Sequence, residues 1–181
     1  MNRFALLSLF CVTILLGACE TQTVKNEDSQ FYSVPLGSQF TLNRDITIPP
    51  DQTSVYLQYG KVLASGGVDF YKPHCKFELY TISTQARIVK PDTFTVIRIV
   101  DRREDVSTGW PVYAGLGLGL SYSDGPIHMT YSTAMYLESD VQPDVFRMDC
   151  KRWDDPAIGE YLSIREMRDA LGDYFTLELA D

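Results

Sequence analysis

Apolar residues recur at every second position in one segment of this chain after another. Val55, Leu57 and Tyr59 alternate with Ser54, Tyr56 and Gln58. Cys75, Phe77 and Leu79 alternate with Lys76, Glu78 and Tyr80. Met129, Tyr131, Met135 and Leu137 alternate with His128, Thr130, Ser132 and Tyr136, and Phe146, Met148 and Cys150 with Val145, Arg147 and Asp149. A period of two, enriched in β-branched and aromatic residues, is the pattern of strands with one buried face. It argues against a helical bundle, whose apolar period is 3.6. Residues 40–48 read as a further strand ending at Pro49-Pro50. Residues 94–100 are apolar on both parities (Phe94, Val96 and Val100; Ile97 and Ile99) and read as an interior strand.

One helix interrupts the strands. Ser163-Ile164-Arg165-Glu166 fits a capping box, with Leu162 and Met167 at the staple positions and Gly172 after Leu171 as a C-terminal stop. The helix is expected over about 163–171. Residues 174–179 follow as a last strand, with Phe175, Leu177 and Leu179 on one side. The fold class is therefore mainly β, a small antiparallel sandwich or barrel with one C-terminal helix. Residues 69–73, 90–92 and 153–156 read as turns, and 101–105 (Asp-Arg-Arg-Glu-Asp) as a solvated hairpin turn.

The chain has 181 residues, 45% of them hydrophobic, a length that favours one globular domain. The formal net charge is −8, with 16 Lys and Arg against 24 Asp and Glu. Such a balance is unsuited to nucleic-acid backbones, which call for clustered cations.

The first residues read as an address. Met1-Asn2-Arg3 carries one positive charge, an apolar run extends to Leu16, and Leu16-Gly17-Ala18-Cys19 closes it. A charged start, a short apolar run and small residues before a cleavage point mark a secretory signal. The run is too short to span a bilayer comfortably, since that takes about 20 residues. The Leu16-Gly17-Ala18-Cys19 tetrad resembles the lipobox of bacterial lipoproteins. That resemblance implies a signal peptide over 1–18 and a mature N-terminus at Cys19 carrying thioether-linked and amide-linked acyl chains. Two or more chains give stable membrane attachment. In the family, the residue after the cysteine sorts the protein, and Glu20 rather than Asp implies the outer membrane, facing the periplasm. Residues 19–39 read as a lipidated N-terminus and flexible tether, about 25 Å in root-mean-square span, with Phe31 and Tyr32 able to dock on the domain or the membrane interface. Residues 40–181 are then a single β-rich periplasmic domain.

Two further cysteines, Cys75 and Cys150, lie on the apolar parity of their strands. In an oxidising compartment, two inward thiols are expected to form one disulfide. A metal site combining them with His74 and His128 lacks C-x2-C or H-x3-H spacing. His74, next to Cys75, is expected to point to the opposite face and toward solvent.

No catalytic constellation is recognisable. Gly115, Gly117 and Gly119 give G-x-G-x-G without a following helix or a G-K-[ST], so a nucleotide loop is not indicated. There is no G-x-S-x-G elbow. Asp154-Asp155 before Pro156 reads as a turn rather than paired acids. No cofactor is called for. The tyrosines suggest a contact surface, with Tyr56, Tyr80 and Tyr136 as its candidates. The stretch Asp69-x-Tyr71-x-Pro73-His74-Cys75-x-Phe77-Glu78-Leu79, followed by Pro91-Asp92-x-Phe94, resembles small lipoproteins of Gram-negative envelopes, and no activity attaches to that resemblance. The expectation is a non-catalytic, membrane-anchored binding or envelope-maintenance module with an envelope protein as possible partner. Two alternatives stay open: a β-barrel carrying a lipid or small ligand, and a periplasmic hydrolase.

Overall fold

The computed structural model of the chain describes residues 25–106 and 128–181. Within them lie β1 (Gln39–Leu42), β2 (Ile46–Ile48), β3 (Ser54–Gln58), β4 (Lys61–Leu63), β5 (His74–Leu79), β6 (Arg87–Val89), β7 (Asp92–Asp105), β8 (Met129–Glu138), β9 (Val145–Asp154), helix α1 (Ile164–Leu171) and β10 (Phe175–Glu178). Eight strands form one antiparallel sheet in the order β10-β1-β7-β8-β9-β5-β3-β4, coiled as half a barrel. β2 and β6 pair separately.

The inner face of the half-barrel is the core. Phe40 lies opposite Phe94, Phe77 opposite Met148, and Val96 opposite Leu137, all buried. Each large side chain removed from water in this way contributes about 1.5–3 kcal/mol. A half-barrel leaves this apolar face open on one side, and α1 closes it. Ile164, Met167, Ala170 and Leu171 are its buried residues, and it packs on β3, β5 and β10. Ser163 accepts a hydrogen bond from the Glu166 backbone N–H, and the Glu166 carboxylate accepts one from the Ser163 N–H. The helix stops at Gly172, whose φ of 55° favours glycine, and whose N–H donates to the Arg168 carbonyl. The β3–β4 hairpin turns through Tyr59 and Gly60, both with positive φ as a type I′ turn requires. Gly60 N–H then donates to the Ala170 carbonyl, tying hairpin to helix.

Several expectations are corrected. Residues 40–48 are two strands broken at 43–45, because β1 joins the large sheet while β2 leaves to pair with β6. The charged residues 101–105 form no turn; they continue β7, paired with 129–133 of β8. The double apolar parity of 94–100 comes from a bulge. The register passes from Val96–Leu137 to Arg98–Tyr136, so Ile97 is extra and the side-chain sides exchange beyond it. Tyr59 sits in the turn, exposed, rather than in β3. The described part of the expected tether, 25–38, is docked on the domain. Val34 and Ser38 are buried, Gly37 N–H donates to the Val96 carbonyl, and Asp28 and Glu27 pair with Arg165 and Arg168 of α1.

Candidate functional site

Strand alternation places a second set of side chains on the outward face, and the register aligns them in rows. One row runs Ser54–Glu78–Arg147–Tyr136–Arg98 across β3, β5, β9, β8 and β7. The next runs Tyr56–Lys76–Asp149–Ala134–Val100. A third runs His74–Lys151–Ser132–Arg102. The central strands are covered on this face too: Glu78, Ser132, Ala134, Tyr136 and Asp149 are all buried.

Charged groups buried in this way require partners. Glu78 receives both Arg147 and Lys76. Burial pushes the Glu78 carboxyl up, but the hydrogen bonds from Arg147 and Lys76 outweigh it and hold the group below its ordinary value. Lys151 pairs with Asp149 at 2.7 Å. The Arg98 guanidinium lies 3.6 Å over the centre of the Tyr136 ring, a cation–π stack, and Arg102 donates to the Tyr136 hydroxyl at 3.0 Å. Burial raises the Tyr136 phenol, and the nearby Arg147, Arg102 and Arg98 more than reverse this, leaving it below the usual tyrosine value.

Two bulges meet here. Ile97 is the extra residue of β7, and Phe146 that of β9, where the register passes from Glu78–Arg147 to Leu79–Val145. Phe146 packs on Tyr136 at 5.2 Å and on Tyr80 at 4.3 Å, centroid to centroid, while Ile97 is left exposed. Bulges re-aim side chains, and they concentrate near functional positions.

A second aromatic group lies at the other end of the face. Phe70 stacks on Trp153 at 4.8 Å and meets His74 edge-on at 5.3 Å, with Tyr56 beside both. His74 does point away from Cys75's side, but it is buried, not solvent-facing as expected, because Phe70 of the 69–73 turn and Tyr56 of β3 pack against it. Its Nδ1 lies 2.9 Å from the Lys72 carbonyl. Burial depresses its pKa, which keeps the ring neutral with Nδ1–H donating to that carbonyl.

The tyrosines proposed as a contact surface are thus divided. Tyr80, exposed, and Tyr136, buried, share Phe146; Tyr56 belongs to the His74 group. Arg98 covers the face of the Tyr136 ring. Cys75 and Cys150 face each other on β5 and β9 and are disulfide-bonded, with Cα atoms 4.0 Å apart. His128 packs against Tyr71, while Asp154 ends β9 beside Arg152 and Asp155 is exposed in the turn after it. Among the described residues, no group of three or more His, Cys, Asp or Glu is placed to hold a metal. Cys19 and the Gly115–Gly119 segment lie outside the described residues.

Surface clefts of about 360 and 290 Å3 lie at the end of the sheet bearing Tyr80, Ile88, Ile97 and Pro143. The outward cations were missed in sequence because they occupy the polar parity, which looks like ordinary solvated surface. Parity alone puts Arg147 and Lys151 on one side of β9, and Lys76 joins them only through the β5–β9 register. No protein-family model matches the chain, and no curated protein or solved structure is similar to it.

Proposed function

We propose that the chain is a lipid-anchored envelope protein, held at the outer membrane through Cys19, whose β domain is a non-catalytic binding module working through its outward sheet face. The observation that carries the binding reading is that face. A sheet surface with water as its only neighbour has no need of buried ion pairs, a phenol gripped by two arginines, and two bulges in one place. The anchor is supported by the Leu16-Gly17-Ala18-Cys19 tetrad, and an oxidising address is supported by the Cys75–Cys150 disulfide. The ligand-carrying alternative has less support. The inner face is filled by core side chains and α1, and the described clefts open on the surface.

Cells fed a labelled fatty acid are expected to label the protein, and Cys19→Ala to abolish labelling and release it from membranes. An unlabelled wild-type chain overturns the anchor. In-cell crosslinking from positions 98 and 80 tests the binding face, and it is expected to capture a defined envelope component. Capture no different from that at a position on β10 overturns that part.

A further inference from the structure

We propose that the outward face beside Tyr136 docks the phosphate of an anionic phospholipid headgroup. Three observations carry this. The first is charge. On a chain of formal charge −8, the rows across β5, β9, β8 and β7 bring together Lys76, Arg98, Arg102, Arg147 and Lys151 against only Glu78 and Asp149. Glu78 is taken up by Arg147 and Lys76, and Asp149 by Lys151. Among the described residues, Arg98 and Arg102 form no ion pair, and both lie against Tyr136. Glu138, two residues beyond Tyr136, and Glu104, two residues beyond Arg102 on the same side of β7, bound the basic stretch at its two ends.

The second is geometry. A guanidinium laid flat on an aromatic ring still offers its N–H edge, which matches a phosphate oxygen pair. Arg98 and Arg102 approach the same phenol from ring face and hydroxyl, so their edges can address one oxyanion between them. The Tyr136 O–H adds a donor, since its oxygen accepts from Arg102 and, among the described residues, its proton has no acceptor.

The third is the rim. The bulge leaves Ile97, next to Arg98, 51% exposed, and Phe146 holds Tyr80 at the same edge, 59% exposed. A free phosphate has no use for aliphatic and aromatic neighbours. A headgroup continues into acyl chains, and cations flanked by such side chains are how surfaces engage anionic bilayers. The inference deepens the binding-module reading by naming the ligand's chemistry, and it does not depend on the Cys19 anchor.

The test uses the full-length protein reconstituted in phosphatidylcholine vesicles containing a trace of photoactivatable phosphatidylglycerol or, separately, photoactivatable phosphatidylcholine. Labelled positions are mapped by mass spectrometry. The phosphatidylglycerol probe is expected to label residues 97–102 and the Tyr80 region in preference to the phosphatidylcholine probe. Arg98→Gln with Arg102→Gln is expected to cut that labelling about 25-fold, about fivefold for each arginine. Arg98→Lys, which keeps the charge but gives up the stacked two-donor edge, is expected to label between wild type and Arg98→Gln, and urea unfolding unchanged among the variants controls for folding. Equal labelling by both probes, or labelling unchanged in the double variant, overturns the proposal. So does displacement of the probe by low-millimolar inorganic phosphate together with no effect of Ile97→Ser, which would mean a free-phosphate site. Failure here leaves the fatty-acid labelling at Cys19 and protein crosslinking from position 98 free to succeed or fail separately.

Discussion

Glu78 shows how much one side chain is asked to do. It is buried on a sheet face between Arg147 and Lys76, so its charge is tolerated only because both cations reach it. Its carboxyl is held below the ordinary value, which means the unfolded chain takes up its proton more readily than the folded one. The stabilisation is therefore complete above the ordinary carboxylate range and is lost as pH falls through the lowered value. Glu78→Gln should cost about 1–3 kcal/mol at pH 7. The gap between variant and wild type should be smaller in urea unfolding at acid pH than at neutral pH. A gap of constant size at both pH values would mean that Glu78 is not ionised in its pair. Tyr136 makes the matching alkaline case. Its phenol sits below the usual value because three guanidinium groups surround it, so it should ionise ahead of other tyrosines. In an ultraviolet pH titration of the folded protein, Tyr136→Phe is expected to remove the earliest phenolate step. Persistence of that step would assign it to another ring.

At the level of elements, α1 is the part most dependent on local chemistry. It is only two turns long, below the length at which isolated helices persist, so caps and packing sustain it. Ser163→Ala removes the acceptor for the Glu166 N–H and should cost about 1 kcal/mol. Gly172→Ala should cost more, because φ is positive there and a Cβ would run into the Gly60 backbone. Thermal unfolding of the two variants orders them, and an alanine at 172 as stable as wild type would refute the close approach. These caps were legible in sequence because capping is local: Ser163 and Glu166 are three residues apart. Strands with clean alternation were legible for the same reason, since Cys75, Phe77 and Leu79 declare one face by themselves. What escaped was decided at a distance. Nothing near Ile97 says that Arg98 will pair with Tyr136 rather than Ile97 taking that place, and the sides exchanged there. His74 looked like surface because the rings that cover it come from Phe70 and Tyr56, outside its own strand. The binding face escaped in the same way. Its cations come from three strands, and only the register of those strands makes them one surface.

Over the whole molecule, the sheet is an open half-barrel, and an open sheet has edges and an uncovered inner side to manage. The two ends of the described body help with both. Residues 25–38 lie along α1 and β7 through Val34, Gly37 and the pairs of Asp28 and Glu27 with α1, while β10 completes the sheet beside β1. The middle is fastened covalently. Cys75 and Cys150 join β5 to β9 across 75 residues of sequence, so the loop that the bond closes contains β6, β7 and β8. Closing a loop of that length removes denatured-chain freedom worth about 4.5 kcal/mol in the chain-entropy model. Cys75→Ala with Cys150→Ala should therefore lower the melting temperature by about 10 °C or more. Both cysteines are fully buried, so a reductant cannot reach the bond while the sheet is closed. Reduction of the folded protein is then expected to proceed only through global unfolding. Its rate at fixed reductant should rise with urea as steeply as the population of unfolded chain does. A rate that barely responds to low urea would instead show that β5 and β9 separate locally, and that the disulfide guards a seam which opens rather than the closed centre of the fold.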